Sequence, residues 1–374
     1  MDFHIEHLNN ISGTNSSDRI YHLTYPPYAE DSPGKFAVYI ILAATCLTLG
    51  LFGNLLALMS IFREKILQVP ENMFIVSLIA SDILVATCVL PFSIAGVVQG
   101  ELYFYPKVTL CEFLGAVCWI ACNAAFWSVT GLAINRMILC YFPKMYVRIF
   151  TWKTTPAIAF LPWLLSFLTY APTLSTWVAY EYDPESMFCL YDLDFWPTNF
   201  YQFAILIVSI TSTFVSIVMT VFKIKQKRRS LSLVAPALHL MGGFMTVPKD
   251  DFVKNDKAQE LRKELNDLVM NFKMLSCIFI ASLIHWVPFV VGILSRHIVD
   301  YGRDFWTFAT LLGHMQPGSD CLCYIIANKF FRMGYRNVLR GIFCCKKSDM
   351  SDKVVYSEVA NGDGGSETAL NTKS

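Results

Sequence analysis

The chain has 374 residues, of which 55% are hydrophobic and 16% are charged, and its net charge is +1. Soluble domains carry about 25% charged and about 45–50% apolar residues, so this composition indicates a membrane protein. The near-neutral balance gives no reason to expect a nucleic-acid partner, and the 12 cysteines are too widely spaced for a small disulfide-rich domain or a zinc site.

The first segment, residues 1–36, is polar and lacks the apolar run of a cleavable signal peptide. It contains two N-glycosylation sequons, which begin at Asn10 and Asn15. We therefore expect an extracellular N-terminal tail that is glycosylated at these two asparagines.

Seven apolar segments follow, each long enough to cross a hydrocarbon core of roughly 30 Å as a helix of about 20 residues. Because backbone polar groups in lipid must bond within the chain, each segment is predicted to be helical. Residues 37–328 are thus expected to form an all-α bundle of seven transmembrane helices. The predicted spans are 37–62, 71–97, 108–140, 153–176, 197–223, 268–295 and 304–328. A shorter apolar stretch at 230–245 contains Pro236 and a Gly-Gly pair, so we predict an amphipathic or irregular loop segment there.

Lysine and arginine cluster after the first, third, fifth and seventh spans. The positive-inside rule therefore predicts a multi-pass plasma-membrane protein with its N-terminus outside and its C-terminus in the cytosol. Residues 329–345 alternate basic and apolar side chains at helical spacing, which predicts an amphipathic eighth helix in contact with membrane lipids. Cys344 and Cys345 at its end are predicted palmitoylation sites, with free thiols as the alternative. The polar tail 346–374 is expected to be disordered and cytoplasmic.

Several marked residues occur in order along the spans: Gly53-Asn54, Asp82, Arg136, Trp163, Trp286-Val287-Pro288 and Asp320 to Tyr324. Together they resemble the class A (rhodopsin-like) G-protein-coupled receptors over residues 37–345. The segments MFIVSLIASDILVA, SVTGLAINRM, YDPESMFC and YIIANKFFR are most similar to the melatonin-receptor-like branch and its orphan relatives.

This resemblance implies a disulfide between Cys111 and Cys189 and a set of activation residues. It also implies a sodium ion at Asp82 and Asp320 as an allosteric ligand, with no other cofactor or metal. The alternative for Asp82 is a protonated carboxyl group that is hydrogen-bonded to Asp320 or Asn54. The implied activation residues are Asn54, Asp82, Asn135, Arg136, Trp286, Pro288, Asp320 and Tyr324.

Some family features are altered in this chain. Asn135 stands before Arg136 where an acid is usual, so we expect Arg136 to pair with Asp267 or Glu264 and to be restrained weakly enough for some basal activity. Span five has no proline between Pro197 and Pro236, and Ser282 stands where span six usually has phenylalanine.

The resemblance places the ligand pocket in the outer half of the bundle. Cys118 stands where amine receptors carry an aspartate, and His314 where opsins carry the retinal lysine, so an amine or retinal is not expected. Melatonin receptors use three pocket residues whose counterparts here are Thr173, Tyr191 and Leu193, and only the aromatic one is kept. The predicted pocket residues are Cys118, Trp119, Cys122, Asn123, Thr173, Tyr191, His285, Trp286, Phe289 and His314.

Acids in the second outer loop indicate either attraction of a cationic ligand or peptide or a solvated acidic surface. They are Glu181, Asp183, Glu185, Asp192 and Asp194. The ligand class, whether small molecule, lipid or peptide, stays open.

No catalytic triad, phosphate-binding loop or metal-ligand spacing is present in the sequence, so an enzyme is not expected. The expected function is activation of a heterotrimeric G protein, inhibitory by analogy with the branch, after binding an extracellular ligand. Two alternatives remain: a receptor-like partner of other receptors that has lost signalling, and a transporter, which would show repeats and broken helices.

Overall fold

A computed structural model describes residues 24–172, 180–193, 195–241 and 249–343. Several predicted positions lie outside these residues: both glycosylation sites, both palmitoylation sites, the pocket residue Thr173 and the tail 346–374. The described chain forms a bundle of long helices with one small β-hairpin.

The helices of the bundle are labelled α1 to α8 in chain order. Three short helices, Tyr28–Asp31, Glu101–Phe104 and Pro143–Ile149, connect or precede them. Both α1 and α2 contain a turn of π-helix, at Leu49–Gly53 and Val85–Val89. The long helices are α1 (Pro33–Arg63), α2 (Pro70–Gln99), α3 (Val108–Tyr141), α4 (Thr155–Tyr170), α5 (Trp196–Met241), α6 (Lys249–Ser295), α7 (Gly302–His314 and Gln316–Ala327) and α8 (Lys329–Phe343).

Five of these helices, α1, α2, α3, α5 and α6, are long and apolar enough to cross a membrane. Helix α4 is apolar but has only 16 residues. Helix α7 is interrupted at Met315, just before Pro317. Proline has no N–H to donate to the helix, so the interruption is expected there. Lipid-facing surfaces are rich in exposed apolar side chains such as Phe160 and Phe222.

The cytoplasmic ends of α5 and α6 differ most from the predicted spans. Helix α5 continues to Met241 and α6 begins at Lys249, where the spans were expected to end at 223 and begin at 268. Of the two alternatives predicted for 230–245, an amphipathic or an irregular loop segment, the irregular one is wrong as far as Met241, because the chain is helical there.

Helix α3 lies at the centre of the bundle and packs against α2, α4 and α5. Helix α1 packs closely against α7, because Gly53 has no side chain and Cys321 lies where a Cβ atom on Gly53 would be. A small residue at 321 therefore matches a glycine across the interface. Helix α8 packs on α1 through Phe331, Tyr335 and Val338, which are buried.

The β-hairpin lies between α4 and α5. Strand β1 (Tyr180–Asp183) pairs antiparallel with β2 (Phe188–Tyr191), so that Tyr180 faces Tyr191 and Asp183 faces Phe188. The Asp183 carboxylate accepts hydrogen bonds from two backbone N–H groups of the turn, and Met187 has a positive φ of 54°. A disulfide joins Cys189 of β2 to Cys111 near the start of α3. It fixes the hairpin over one end of the bundle, which we call the hairpin end.

Candidate functional site

A cavity of about 70 Å³ lies among α3, α5, α6 and α7 beneath the hairpin. Aromatic and aliphatic side chains form most of its wall. Its lining residues are Gly115, Cys118, Trp119, Cys122, Asn123, Phe126, Tyr180, Cys189, Leu190, Tyr191, Gln202, Phe203, Leu206, Trp286, Phe289, Val290, Ile293, Ala309, Thr310 and His314.

The hairpin forms the roof of this cavity. Tyr180, Leu190 and Tyr191 all line it and are at least nine-tenths buried. The ring of Tyr191 meets Trp119 edge to face at 5.6 Å between centroids. The neighbouring Phe188 is buried and lies 4.8 Å from the ring of His314. The disulfide therefore holds aromatic side chains directly over the helix bundle.

Eight of the predicted pocket residues line the cavity: Cys118, Trp119, Cys122, Asn123, Tyr191, Trp286, Phe289 and His314. His285 does not line it. Its Nδ1–H donates to the Ala281 carbonyl at 2.6 Å, and its Nε2 accepts from the Ser319 hydroxyl at 3.1 Å. His285 and Trp286 are neighbours in α6, and adjacent side chains on a helix point about 100° apart. The His285 side chain therefore points away from the face that carries Trp286.

Nothing in the sequence marks the α5 side of the cavity wall, which is formed by Gln202, Phe203 and Leu206. These residues lie in an apolar run whose inward face carries no distinctive marker. The 3.6-residue period of the helix could have shown that they share a face, but not which face points inward.

His314 is buried and both of its ring nitrogens have partners. Nδ1 lies 3.0 Å from the Ser93 hydroxyl, and Nε2 lies 3.4 Å from the Cys118 thiol. Cys118 in turn lies 3.9 Å from the Cys122 thiol. These residues form a polar strip along one side of the cavity.

Trp286 connects the cavity to the far half of α7. Its Nε1–H donates to Gln316 Oε1 at 2.8 Å, and Gln316 Nε2 donates to Asp320 Oδ2 at 3.2 Å. The indole ring also packs edge to face on Phe126 of α3, at 5.7 Å between centroids. A displaced Trp286 would therefore change the hydrogen bonding of the buried Asp320 carboxylate, which lies about one turn of helix beyond Gln316.

Asp82 and Asp320 are buried in the bundle core and lie within electrostatic range of each other. Asp82 Oδ2, Asp320 Oδ1 and the amide oxygen of Asn54 have no hydrogen-bond partner among the described residues. Asn54 instead donates to the carbonyls of Gly50 and Pro317. No hydrogen bond joins Asp82 to Asp320 or Asn54 among the described residues, and the sodium site and the protonated Asp82 both stay predictions.

Arg136 is 2% exposed at the end of α3 opposite the hairpin. Its Nη1 pairs with Glu71 Oε1 at 3.2 Å, and Glu71 lies in the 3₁₀ turn that begins α2. The expectation of a partner in α6, at Asp267 or Glu264, was therefore wrong. The start of α2 lies beside α3 in the bundle, and nothing in the sequence marks Glu71 as a partner.

Three predicted activation residues remain to be placed: Tyr324, Pro288 and Asn135. Tyr324 is fully buried and stacks on Phe331 of α8, with 5.3 Å between ring centroids. Pro288 lies inside α6, two residues after Trp286. Asn135 is fully buried beside Arg136.

The acids of the hairpin end are mostly engaged within the protein. Glu185 Oε2 pairs with Arg296 at 3.5 Å, and its backbone carbonyl accepts from Thr307 of α7 at 2.8 Å. Burial raises the pKa of the Glu185 carboxyl group, although Arg296 opposes the shift. Asp304, at the start of α7, accepts hydrogen bonds from Lys35 and Tyr28. Asp194 lies outside the described residues.

No group of three or more His, Cys, Asp or Glu residues that could hold a metal ion occurs in the described part of the chain.

Comparison with known proteins gives the family. Residues 53–327 match the model of the 7 transmembrane receptor (rhodopsin family). Melatonin receptor type 1A-A of Danio rerio is 22% identical over 85% of this chain and 83% of its own length. Blue-sensitive opsin of Anolis carolinensis is 23% identical over 90% and 88%.

The crystal structure of squid rhodopsin has the same fold, with a TM-score of 0.70 at 17% identity, over 93% of this chain and 98% of that one. These relatives are membrane receptors and opsins rather than enzymes, and the melatonin receptor agrees with the resemblance seen in the sequence. The family match covers most of the chain, so the protein belongs to the rhodopsin (class A) family of seven-transmembrane receptors, which are signalling proteins of the cell membrane.

Proposed function

We propose that this chain is a receptor that binds an extracellular ligand in the cavity under the hairpin and activates a heterotrimeric G protein at the opposite end. Its N-terminus and hairpin would lie outside the cell. The exposed cations Lys144, Arg148, Lys225 and Arg228 lie at the opposite end, which the positive-inside rule assigns to the cytosol.

The observation that carries the proposal is the series of contacts from Trp286 through Gln316 to Asp320. The first residue of this series lines the cavity, and the last lies in the second half of α7. A ligand that moves the indole ring would break or remake both hydrogen bonds. Because α6 has Pro288 beside the ring, the same displacement can alter the bend of α6, and a bent helix with two arrangements is a two-state element.

A sodium ion between Asp82 and Asp320 fits these contacts. Three buried oxygen atoms without partners, from Asp82, Asp320 and Asn54, offer the hard ligands that such a cation prefers. The bound ion would supply positive charge that stabilises two adjacent carboxylates. Gln316 would then link the ion's ligand Asp320 to Trp286, so that ion and ligand would influence each other's binding.

At the cytosolic end, Arg136 would be the residue that meets the G protein. In the described structure it is held by Glu71 and is nearly inaccessible. Signalling would therefore require that the pair separate. Coupling to an inhibitory G protein follows from the likeness to melatonin receptors alone, and a missing fall in cAMP under stimulation would argue against it.

The test is guanine-nucleotide exchange on purified G proteins of each class, with the full chain in lipid nanodiscs. We expect the receptor to raise the exchange rate above that of the G protein alone, and Arg136→Ala to abolish this increase. The control Arg148→Ala should keep it, because the Arg148 side chain is exposed in the neighbouring short helix. If no class responds and Arg136→Ala has no effect, the receptor proposal fails. A receptor-like partner of other receptors would then be the better interpretation, especially because α5 has no proline between Pro197 and Pro236.

A further inference from the structure

The wall of the ligand cavity contains no Asp, Glu, Lys or Arg among the described residues. The one basic side chain in its lining is that of His314, and both of its ring nitrogens already have partners in Ser93 and Cys118. A ligand with an ammonium or a carboxylate group would therefore enter a buried site without a counter-ion, which is costly.

The cavity also contains polar atoms that the protein itself leaves without partners. They belong to four lining side chains and are buried: Trp119 Nε1, Tyr180 Oη, Gln202 Oε1 and Thr310 Oγ1. Buried polar atoms are nearly always hydrogen-bonded in native proteins, so four such atoms facing one cavity indicate a missing partner.

The chemistry of these four atoms restricts that partner. The indole nitrogen of Trp119 can only donate, whereas the amide oxygen of Gln202 can only accept. The hydroxyl groups of Tyr180 and Thr310 can do either. A matching ligand must therefore present an acceptor to Trp119 and a donor to Gln202. The remaining wall, which includes Phe203, Leu206 and Phe289, requires an apolar body.

We propose that the ligand is a small, uncharged, largely apolar molecule that carries both a hydrogen-bond acceptor and a hydrogen-bond donor, as an amide or a phenol does. This inference rests on the proposed ligand site. It argues against the cationic ligand or peptide that the acidic hairpin loop had suggested, because Asp183 and Glu185 are engaged within the protein.

The test uses three probes of one shape and different charge: 3-phenylpropionamide, which is neutral, 3-phenylpropylamine, a cation, and 3-phenylpropionate, an anion. Binding is measured on the full chain in nanodiscs without G protein, so the result is independent of signalling. The readout is protection of the lining thiol Cys122 from N-ethylmaleimide, followed by peptide mass spectrometry, with Cys122→Ser identifying the labelled peptide.

We expect the amide to protect Cys122 at concentrations at least about tenfold lower than those that either charged probe requires. The reason is that a charged probe would bury its charge without a counter-ion. Trp119→Phe and Gln202→Met should each weaken protection by the amide about fivefold, the effect of one neutral hydrogen bond. Gln226→Met, an exposed glutamine on α5 outside the cavity, should leave it unchanged.

Equal or better protection by the amine or the carboxylate would overturn the inference. So would full affinity of the amide for Trp119→Phe and Gln202→Met, or failure of all three probes to protect Cys122. None of these results would affect nucleotide exchange, so the receptor proposal would stand or fall separately.

Discussion

Removing the charge of Glu71 is the sharpest perturbation that the structure suggests, because Glu71 holds Arg136 in the described state. The two side chains are 3.2 Å apart, with exposures of 2% for Arg136 and 22% for Glu71. A hydrogen bond between charged groups contributes about 1.5–3 kcal/mol. Since Glu71 is partly solvated, we take the lower value, about 1.5 kcal/mol, which is about a tenfold change in an equilibrium constant.

Glu71→Gln should therefore favour the signalling state about tenfold. If the unliganded receptor is active about 1% of the time, the variant would be active about 9% of the time. The assay is unstimulated nucleotide exchange at matched receptor density. Glu64→Gln is the control, because Glu64 lies at the same end of the bundle but bonds to Asn337 of α8. If Glu71→Gln gives the same basal exchange as the wild type and Glu64→Gln, then the Glu71–Arg136 pair does not restrain the receptor.

Three further predictions follow from other parts of the structure. Cys111→Ala should lower the melting temperature and abolish cavity binding, because the disulfide closes a separation of 78 residues and so contributes up to about 4 kcal/mol. Trp286→Phe should keep the aromatic packing but lose the bond to Gln316, and so bind probes normally while giving less stimulated exchange. Glu185→Gln should flatten the pH dependence of thermal stability. Because burial raises the pKa of Glu185, its contribution is fully present below the ordinary pKa of 4.5 and is lost as the pH rises through the raised value, so the wild type should lose more stability than the variant over that range.

The fold was largely predictable because lipid imposes a simple rule on the sequence. Each apolar segment of about 20 residues had to become a helix, and the family resemblance gave their packing. The ends of α5 and α6 were not predictable in the same way. Hydropathy marks where a helix leaves the membrane. It does not show whether the helix continues into water, as α5 and α6 both do.

The candidate site was predictable where the family fixes a position, as at Trp286 and His314. Contacts that depend on this chain's own substitutions were missed. Asn135 replaces an acid, and the replacement partner of Arg136 proved to be Glu71 in a neighbouring helix. Sequence distance gives no information on such a pair, since it forms only after α2 and α3 have packed.

The coupling between the cavity and the cytosolic end is tested most directly by the distance between α6 and the short helix that follows α3. Spin labels at Lys144→Cys and Lys263→Cys, in a background without other reactive thiols, would report it by pulsed electron paramagnetic resonance. We predict that nucleotide-free G protein shifts the distance distribution to larger values and that Glu71→Gln shifts part of it without G protein. An unchanged distribution in both cases would contradict a receptor in which the release of Arg136 accompanies a movement of α6.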